Sequence, residues 1–429
     1  MFARLLIPFS SRNYRLYFTG QLISLIGSWM TQTATVWLVV TLTNSPFWLG
    51  VVGFLTQAPI ILLGPFAGVW VDRLDRMRLL IATQALAMVQ SLTLAALALT
   101  GNINMTSLCL LAVFQGLINA MDMPVRQSLS VLLVEKREHL AAMIGMNASM
   151  FNLARLAGPA IGGVVLAKFG AGYCFLIDGL SYIAVLGALM AMSVTAPHAE
   201  RTGRSVVSEM KEGFAAALGF RPVRTLIMLS GGMSTFGFSF AVLMPLYARD
   251  IFQGDGMTLG ILMSSSAAGA VLAALYLASR QRMKGIGLVI CGGATLAGLG
   301  LWGFAFSRIF PLSMLALLAV GMGSVLVMAS CNTLVQNMVD EGMRGRVMAI
   351  YSMVFLGGMP LGSLMTGSLA THWGVPAATF FNGAACIVLA ALFYRQLPTL
   401  RVEARAAMER TGAIAPLTPA PAAAENIAG

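Results

Sequence analysis

Twelve apolar stretches dominate this chain, at 14–42, 46–70, 79–100, 105–124, 140–167, 172–193, 223–248, 257–279, 285–306, 310–334, 346–371 and 375–394. Each meets the roughly 20 residues a helix needs to cross about 30 Å of hydrocarbon. They lack strict alternation and exceed the roughly ten residues of a barrel strand. The connections carry helix stops and turns: Thr43-Asn44-Ser45-Pro46, Gly101-Asn102 and Phe169-Gly170-Ala171-Gly172. The sequence therefore predicts an all-α polytopic membrane protein with 12 transmembrane helices, here called spans 1 to 12. Composition agrees, with 58% apolar and 10% charged residues, against roughly a quarter charged in soluble domains.

Charge orients the spans. With both termini cytoplasmic, 23 of the 27 Lys and Arg residues fall in inner segments and only Lys168, Arg249 and Arg308 outside, with Arg155 inside a span. That is the positive-inside pattern, and it accounts for the net charge of +11 without a polyanionic partner, so no nucleic acid is expected. Arg12 and Arg15 precede a first span too long for a signal-peptide core, which reads as an uncleaved span. Cys109, Cys174, Cys291, Cys331 and Cys386 lie in apolar runs with no CxxC or Cys/His spacing, and are read as small buried hydrophobes. His139, His198 and His372 have no partners at ligand spacing. No metal and no cofactor are expected, and the absence of any Gly-Lys dipeptide excludes a phosphate-binding loop for ATP. Neither a membrane-enzyme constellation nor a channel filter is visible, so the chain is not expected to be an enzyme.

The spans group as a six-helix bundle at 1–193, a cytoplasmic linker at 194–222, a second bundle at 223–395 and a disordered tail at 396–429. Within the linker, 205–220 places Val206, Met210, Phe214, Ala217 and Leu218 on one helical face, predicting an amphipathic helix along the inner membrane surface. The halves echo each other. Gly158-Pro159-Ala-Ile-Gly162 in span 5 corresponds to Met359-Pro360-Leu-Gly362 in span 11, and Asp178-Gly179 in span 6 to Asn382-Gly383 in span 12. Similar spacing with unchanged direction predicts two bundles related by an axis along the membrane normal.

After span 2, Gly68-Val-Trp-Val-Asp72-Arg73-Leu-Asp-Arg76-Met-Arg78 resembles the Gly-x-x-x-Asp-Arg-x-x-Arg signature of the major facilitator superfamily. The resemblance covers essentially the whole chain. Asn13-Tyr-Arg-Leu-Tyr-Phe, Met123-Pro-Val-Arg126-Gln and Arg344-Gly-Arg346 before Gly357-Gly-Met-Pro360 are similar to the enterobactin-exporter, or transmembrane secretion effector, branch. The resemblance implies the major facilitator fold in a bacterial inner membrane, with Gly68, Asp72, Arg73, Arg76, Arg126, Arg344 and Arg346 as a gating network. Span 5 resembles an antiporter signature at Gly145, Ala154, Gly158, Pro159, Gly162 and Gly163, with alanine at 154 where the pattern has glycine. The arginine associated with proton coupling in span 4 is replaced by Ala112, ahead of Gln115-Gly116.

Ionisable groups inside a bilayer are costly and mark function by default. Asp122, Arg155 and Asp178 are those residues, and Gln32, Gln115, Asn119, Asn147, Asn152, Asn332 and Gln336 could complete a cavity. Asp122 and Arg126 are spaced for an intrahelical ion pair, while Asp178 could instead accept structural hydrogen bonds. Arg155 holds its charge and suits an anionic substrate group or a neighbouring carboxylate. The resulting expectation is a secondary active transporter working by alternating access: proton-coupled efflux, an antiporter of a bulky amphipathic small molecule of siderophore or drug type. Uptake or lysolipid translocation is the other reading. The expected partners are the substrate, protons and the lipid bilayer, with the chain acting as a monomer.

Overall fold

A computed structural model describes residues 7–133, 139–192, 206–280 and 285–411. The side chains at 65–73 lie outside this description, and with them those of Gly68, Asp72 and Arg73. Among the described residues twelve helices are long and apolar enough to cross a membrane. Spans 1 to 6 are Arg12–Thr43, Pro46–Arg73, Arg76–Leu99, Met105–Leu132, Leu140–Phe169 and Ala171–Met190. A linker helix, Val206–Gly219, leads to span 7 at Arg221–Ile251. Spans 8 to 12 are Gly256–Ser279, Ile286–Phe306, Phe310–Met338, Glu341–Trp373 and Val375–Arg410.

Helix ends follow local chemistry. Asp75 caps span 3 by accepting from the Arg78 amide at 3.0 Å, Asn104 and Ser107 form a reciprocal capping box on span 4, and Asp255 accepts from the Met257 and Thr258 amides of span 8. Spans 5 and 6, and likewise spans 11 and 12, meet at one glycine with nearly the same left-handed geometry: Gly170 at φ 86° and Gly374 at φ 85°. Only glycine adopts that φ without strain, so the internal echo extends to the turns.

Three sequence readings are corrected. Span 7 is not one continuous helix: α-helical to Gly232, it widens to π geometry at Met233–Gly237, tightens to 3₁₀ at Ser239–Leu243 and widens again at Tyr247–Ile251. Gly231, Gly232 and Gly237 weaken the helix, and Pro245 both lacks an amide donor and crowds the carbonyl one turn earlier. Span 12 runs to Arg410 instead of giving way to a disordered tail at 396. There Ala407 and Leu400 are buried, and the Thr411 hydroxyl donates to the Asn337 carbonyl at 2.7 Å. The linker helix docks on the start of span 11, with Gly213 against the Arg346 backbone and Glu212 paired with Arg346. Of its apolar face Ala217 is buried, Phe214 packs against the core and Leu218 is exposed, and the side chains at 206–210 lie outside the described residues. The linker residues 194–205 and the tail 412–429 lie outside the described residues.

Candidate functional site: a cleft between two bundles

The bundles touch through spans 2 with 11 and 5 with 8, and small residues decide where. A Cβ on Gly50 would lie 2.6 Å from the Ser363 carbonyl oxygen, and one on Gly367 2.7 Å from that of Pro46. A Cβ on Gly260 would lie 2.3 Å from the Pro159 oxygen, and one on Gly163 2.7 Å from the Gly256 oxygen. Backbones this close require glycine. Polar contacts reinforce them: Ser264 donates to the Leu156 carbonyl at 2.9 Å, Thr33 reaches the Met263 sulfur at 3.6 Å, and Arg249 donates to the Val40 carbonyl at 3.1 Å and to Asn44.

These contacts lie toward the end carrying the short turns at 44–45, 100–104, 170 and 374. Toward the opposite end, where the linker runs, Gly64, Gly145, Gly342 and Gly345 each face open space. Close backbone approaches join the two halves at the turn end, while these four glycines meet no neighbour at the linker end.

The antiporter-like segment of span 5 works on two faces. Gly158 meets Trp29 and the Ile26 carbonyl and Gly162 meets Met30, both in span 1, while Pro159 and Gly163 meet span 8 across the interface. Ala154 is fully buried. The echo in span 11 packs in the same way: Gly358 meets the Gly231 oxygen of span 7, and a Cβ on Gly362 would lie 2.1 Å from the Thr235 oxygen. A Cβ on Gly145 would meet no neighbour.

Arg155 sits one residue from Leu156, whose carbonyl accepts the cross-bundle hydrogen bond of Ser264. Its guanidinium lies over the Trp29 ring at 6.0 Å from the centroid, and Phe151 abuts that ring edge-on at 5.8 Å. Such a contact contributes about 0.5–2 kcal/mol, more when desolvated. Among the described residues no ion pair of Arg155 with a carboxylate is seen, and its guanidinium keeps the aromatic face of Trp29 as its neighbour.

The other expected residues divide. Gln32 is exposed. Gln115 donates to Asn119 at 3.0 Å and Gln336 to Asn332 at 2.5 Å, each pair one turn apart on a single helix. Asn152 donates to the Ala148 carbonyl within span 5, and Asn147 accepts from the Tyr14 hydroxyl at 3.1 Å. Asp122 and Arg126 form the intrahelical ion pair at 2.5 Å, and Asp122 also accepts from Thr83 at 2.8 Å and Gln84 at 2.6 Å. Asp178 is buried among spans 1, 3 and 6, accepting from Thr31 at 2.8 Å and Ser91 at 2.9 Å. These two aspartates therefore sit inside the first bundle instead of lining the cleft.

Of the gating residues, Arg344 donates to the Gln336 carbonyl at 3.1 Å, Arg346 pairs with Glu212, and Arg126 with Asp122. Each of these three arginines is thus engaged within its own bundle or with the linker, and Arg76 opens span 3. Among the described residues no group of three or more metal-ligating side chains converges. Sequence reading missed Tyr14, Thr83, Gln84 and Ser91 as polar partners, and Trp29 and Phe151 as the setting of Arg155. For the first four the signal was present as polar residues on the buried faces of spans 1 and 3.

Comparison with known proteins agrees with this architecture. A family model described as transmembrane secretion effector matches residues 3–421. The chain is 28% identical over 381 residues to the staphyloferrin A transporter of Staphylococcus aureus, covering 88% of this chain and 94% of that protein. It is also 28% identical to the multidrug efflux pump Tap of Mycobacterium tuberculosis, covering 89% and 92%. Macrolide efflux protein A of Streptococcus pyogenes is 22% identical, covering 88% and 95%. Among solved structures, a POT family transporter in complex with 5-aminolevulinic acid superposes with a TM-score of 0.73 at 12% identity, covering 91% and 97%. The nucleoside transporter NupG superposes with a TM-score of 0.70 at 15% identity, covering 89% and 99%. Twelve spans in two echoing bundles and a family match over nearly the whole length lead to one assignment: the chain is a transporter of the major facilitator superfamily and belongs to its transmembrane secretion effector family.

Proposed function

We propose that the chain is a proton-coupled exporter of a bulky amphipathic small molecule carrying an anionic group, of the siderophore or drug-like class. The observation that carries this reading is the uneven contact between the bundles, from which we infer a cleft. It is shut by glycine-to-backbone contacts at the turn end, parted at the linker end, and tipped at its apex by Arg155 over Trp29. The positive-inside bias puts the linker end in the cytoplasm, so this conformation takes up cargo from inside. The aromatic walls give a large apolar contact and Arg155 orients an anion, a combination suited to adaptable recognition. The names of the relatives, a staphyloferrin A transporter and efflux pumps for drugs and macrolides, support the same cargo range and the outward direction. When the cytoplasmic side shuts, Asp72, Arg73 and Arg76 would meet the start of span 11 near Arg344 and Arg346, replacing the contacts those arginines make now.

The test is transport by the full chain in proteoliposomes against a panel of enterobactin, ethidium and lysophosphatidylcholine, with and without an imposed pH gradient. ATP-independent accumulation that collapses with the gradient and favours the anionic compound is expected. Flux indifferent to the gradient would overturn proton coupling, and preference for the cation would overturn the role of Arg155.

A further inference from the structure

The buried face of span 1 is polar at six successive stripe positions. Tyr14, Tyr17, Gln21, Ser24, Ser28 and Thr31 recur at intervals of three and four residues, the spacing of one helix face. The stripe extends for roughly 25 Å at 1.5 Å per residue. Lipid does not explain it, because the stripe faces the interior of the first bundle; Gln21, for example, is 0% exposed. At its linker end Tyr17 is within electrostatic reach of Asp122 and Arg126. Near mid-membrane Ser28 shares a hydrogen bond of 3.3 Å with the Tyr182 hydroxyl, and Thr31 donates to Asp178. Span 3 runs alongside with Thr83 and Gln84 on Asp122, and about two turns further Ser91 on Asp178. Tyr182 of span 6 is within electrostatic reach of both carboxylates and of Arg126.

Several atoms along this seam are buried and unpartnered in the protein: both polar atoms of Gln21, Gln84 Oε1, Arg126 Nε and Asp178 Oδ1. Polar atoms buried in this way are ordinarily satisfied by internal water. Asp122 has Arg126 as counter-ion, and the Arg126 side chain, at the linker end of the seam, is 24% exposed. Among the described residues Asp178 has no such cation. The titratable neighbours on its own helix are Cys174 and Tyr182. Span 1 offers none beyond Tyr17, span 3 none beyond Arg78, span 4 Asp122 with its partner Arg126, and span 5 Arg155, which lies on Trp29. A proton is therefore the positive charge available to neutralise the buried carboxylate. Toward the turn end the polar residues stop at Phe175, Leu94, Ala95 and Val39, all buried in one apolar cluster.

We propose that the first bundle contains a hydrated proton path separate from the substrate cleft, in which Asp178 holds the proton and the seam past Tyr182, Ser28, Gln21 and Tyr17 connects it to the linker-side solvent beside Asp122. The inference rests on the proton-coupled reading above. In the conformation seen here the proton on the Asp178 carboxyl leaves by transfer along hydroxyls and water to the linker side, and the apolar cluster blocks the turn side. Thr31 belongs to span 1, which packs through Trp29 and Met30 on Gly158 and Gly162, so movement of span 5 during closure acts directly on the seam.

Infrared difference spectroscopy of the full chain in liposomes tests this without a substrate. The wild-type protein should show a carboxylic-acid C=O band that is lost on raising the pH, and Asp178→Asn should remove it while Asp122→Asn leaves it. Tyr182→Phe and Gln21→Leu should keep the band and slow its exchange with D₂O by about tenfold, the scale on which positioned proton donors act. A seam that is merely structural would lower stability in those two variants and leave the exchange rate unchanged. That result would overturn the path, as would a wild-type protein without a titrating band or a band that survives Asp178→Asn. Should Asp178→Asn not fold, the exchange rates in the other two variants decide alone. Gradient-indifferent transport with the band present would remove the coupling reading and leave the proton site standing.

Discussion

The two bundles share a packing skeleton and differ in chemistry. Asp178 in span 6 and Asn382 in span 12 occupy echoing positions, each beside a glycine seated on a neighbouring helix: Gly179 on Leu92, Gly383 on Trp302 and the Gly298 carbonyl. Asp178 accepts from Thr31 and Ser91. Asn382 donates to Thr366 at 3.0 Å and to Ser239 at 3.4 Å. Away from the span ends the first bundle carries Asp122, Arg155 and Asp178, whereas the second carries no Asp, Glu, Lys or Arg within 225–248, 256–279, 286–306, 310–338, 347–373 or 375–394, its charges such as Arg249 and Arg346 lying near span ends. A neutral amide serves packing as well as a carboxylate does, so packing alone does not explain the charge in the first bundle. The division suggests that charge movement belongs to the first bundle and that the second supplies a wall to rock against, with span 7 as its least regular element.

Exchanging the node chemistry gives the largest expected effect. Asn382→Asp buries a carboxylate with hydroxyl neighbours and no seam to water, and should cost about 2.5–3.5 kcal/mol, the scale for a charge at the centre of a membrane helix. Asp178→Asn, which keeps an acceptor for Thr31 and Ser91, should cost less than about 1 kcal/mol. Thermal unfolding in detergent together with membrane yield measures both. Equal losses would mean that the two nodes are equivalent and that the contrast between bundles is decorative.

A smaller effect is expected at the cleft apex. Arg155→Ala removes the one cation on Trp29 and should lower transport of an anionic cargo about tenfold, equivalent to roughly 1.4 kcal/mol, while Arg155→Lys, lacking the planar fork that lies on the ring, recovers only part. Flux normalised to folded protein, measured for an anionic and a cationic compound side by side, separates cargo recognition from scaffolding. An equal fall for both compounds would place Arg155 with the packing residues and leave the cleft without an anion site.

These contrasts were legible in the sequence to different depths. Span number follows from hydropathy because every backbone polar group must be satisfied inside the membrane, which leaves the helix as the available form for such long apolar runs. The glycine echo was visible because Gly158, Gly162 and Gly362 stand in recognisable neighbourhoods around a proline. Depth and direction were not. Gln32 and Gln115 look alike in sequence, yet one is exposed and the other is held by Asn119, because which face of a helix meets the cleft depends on long-range packing. The broken geometry of span 7 was hidden for a related reason: hydropathy averages over a window, while the break is made by individual residues such as Gly237 and Pro245 and by the approach of span 11. Arg155 stood out as a charge, but its seat on Trp29 joins residues far apart in the chain.

The smallest effect concerns the contact between bundles. Ser264 makes one hydrogen bond, to the Leu156 carbonyl at 2.9 Å, beside the close approach of Gly260 to Pro159. Ser264→Ala should remove about 0.6 kcal/mol, the average for an interhelical hydrogen bond in a membrane, and shift the balance away from turn-end closure by roughly threefold. The same span carries Ser265, whose hydroxyl donates to the Ile261 carbonyl of its own helix at 2.8 Å. Ser265→Ala should therefore leave the balance unchanged and serves as the control. With the five native cysteines replaced, spin labels at Ser45 and Gln253 report the turn-end separation directly. A shift in both variants would locate the effect in helix propensity, and a shift in Ser264→Ala alone would show that the two bundles, unequal in charge, are held at the turn end by contacts weak enough for a proton or a substrate to release.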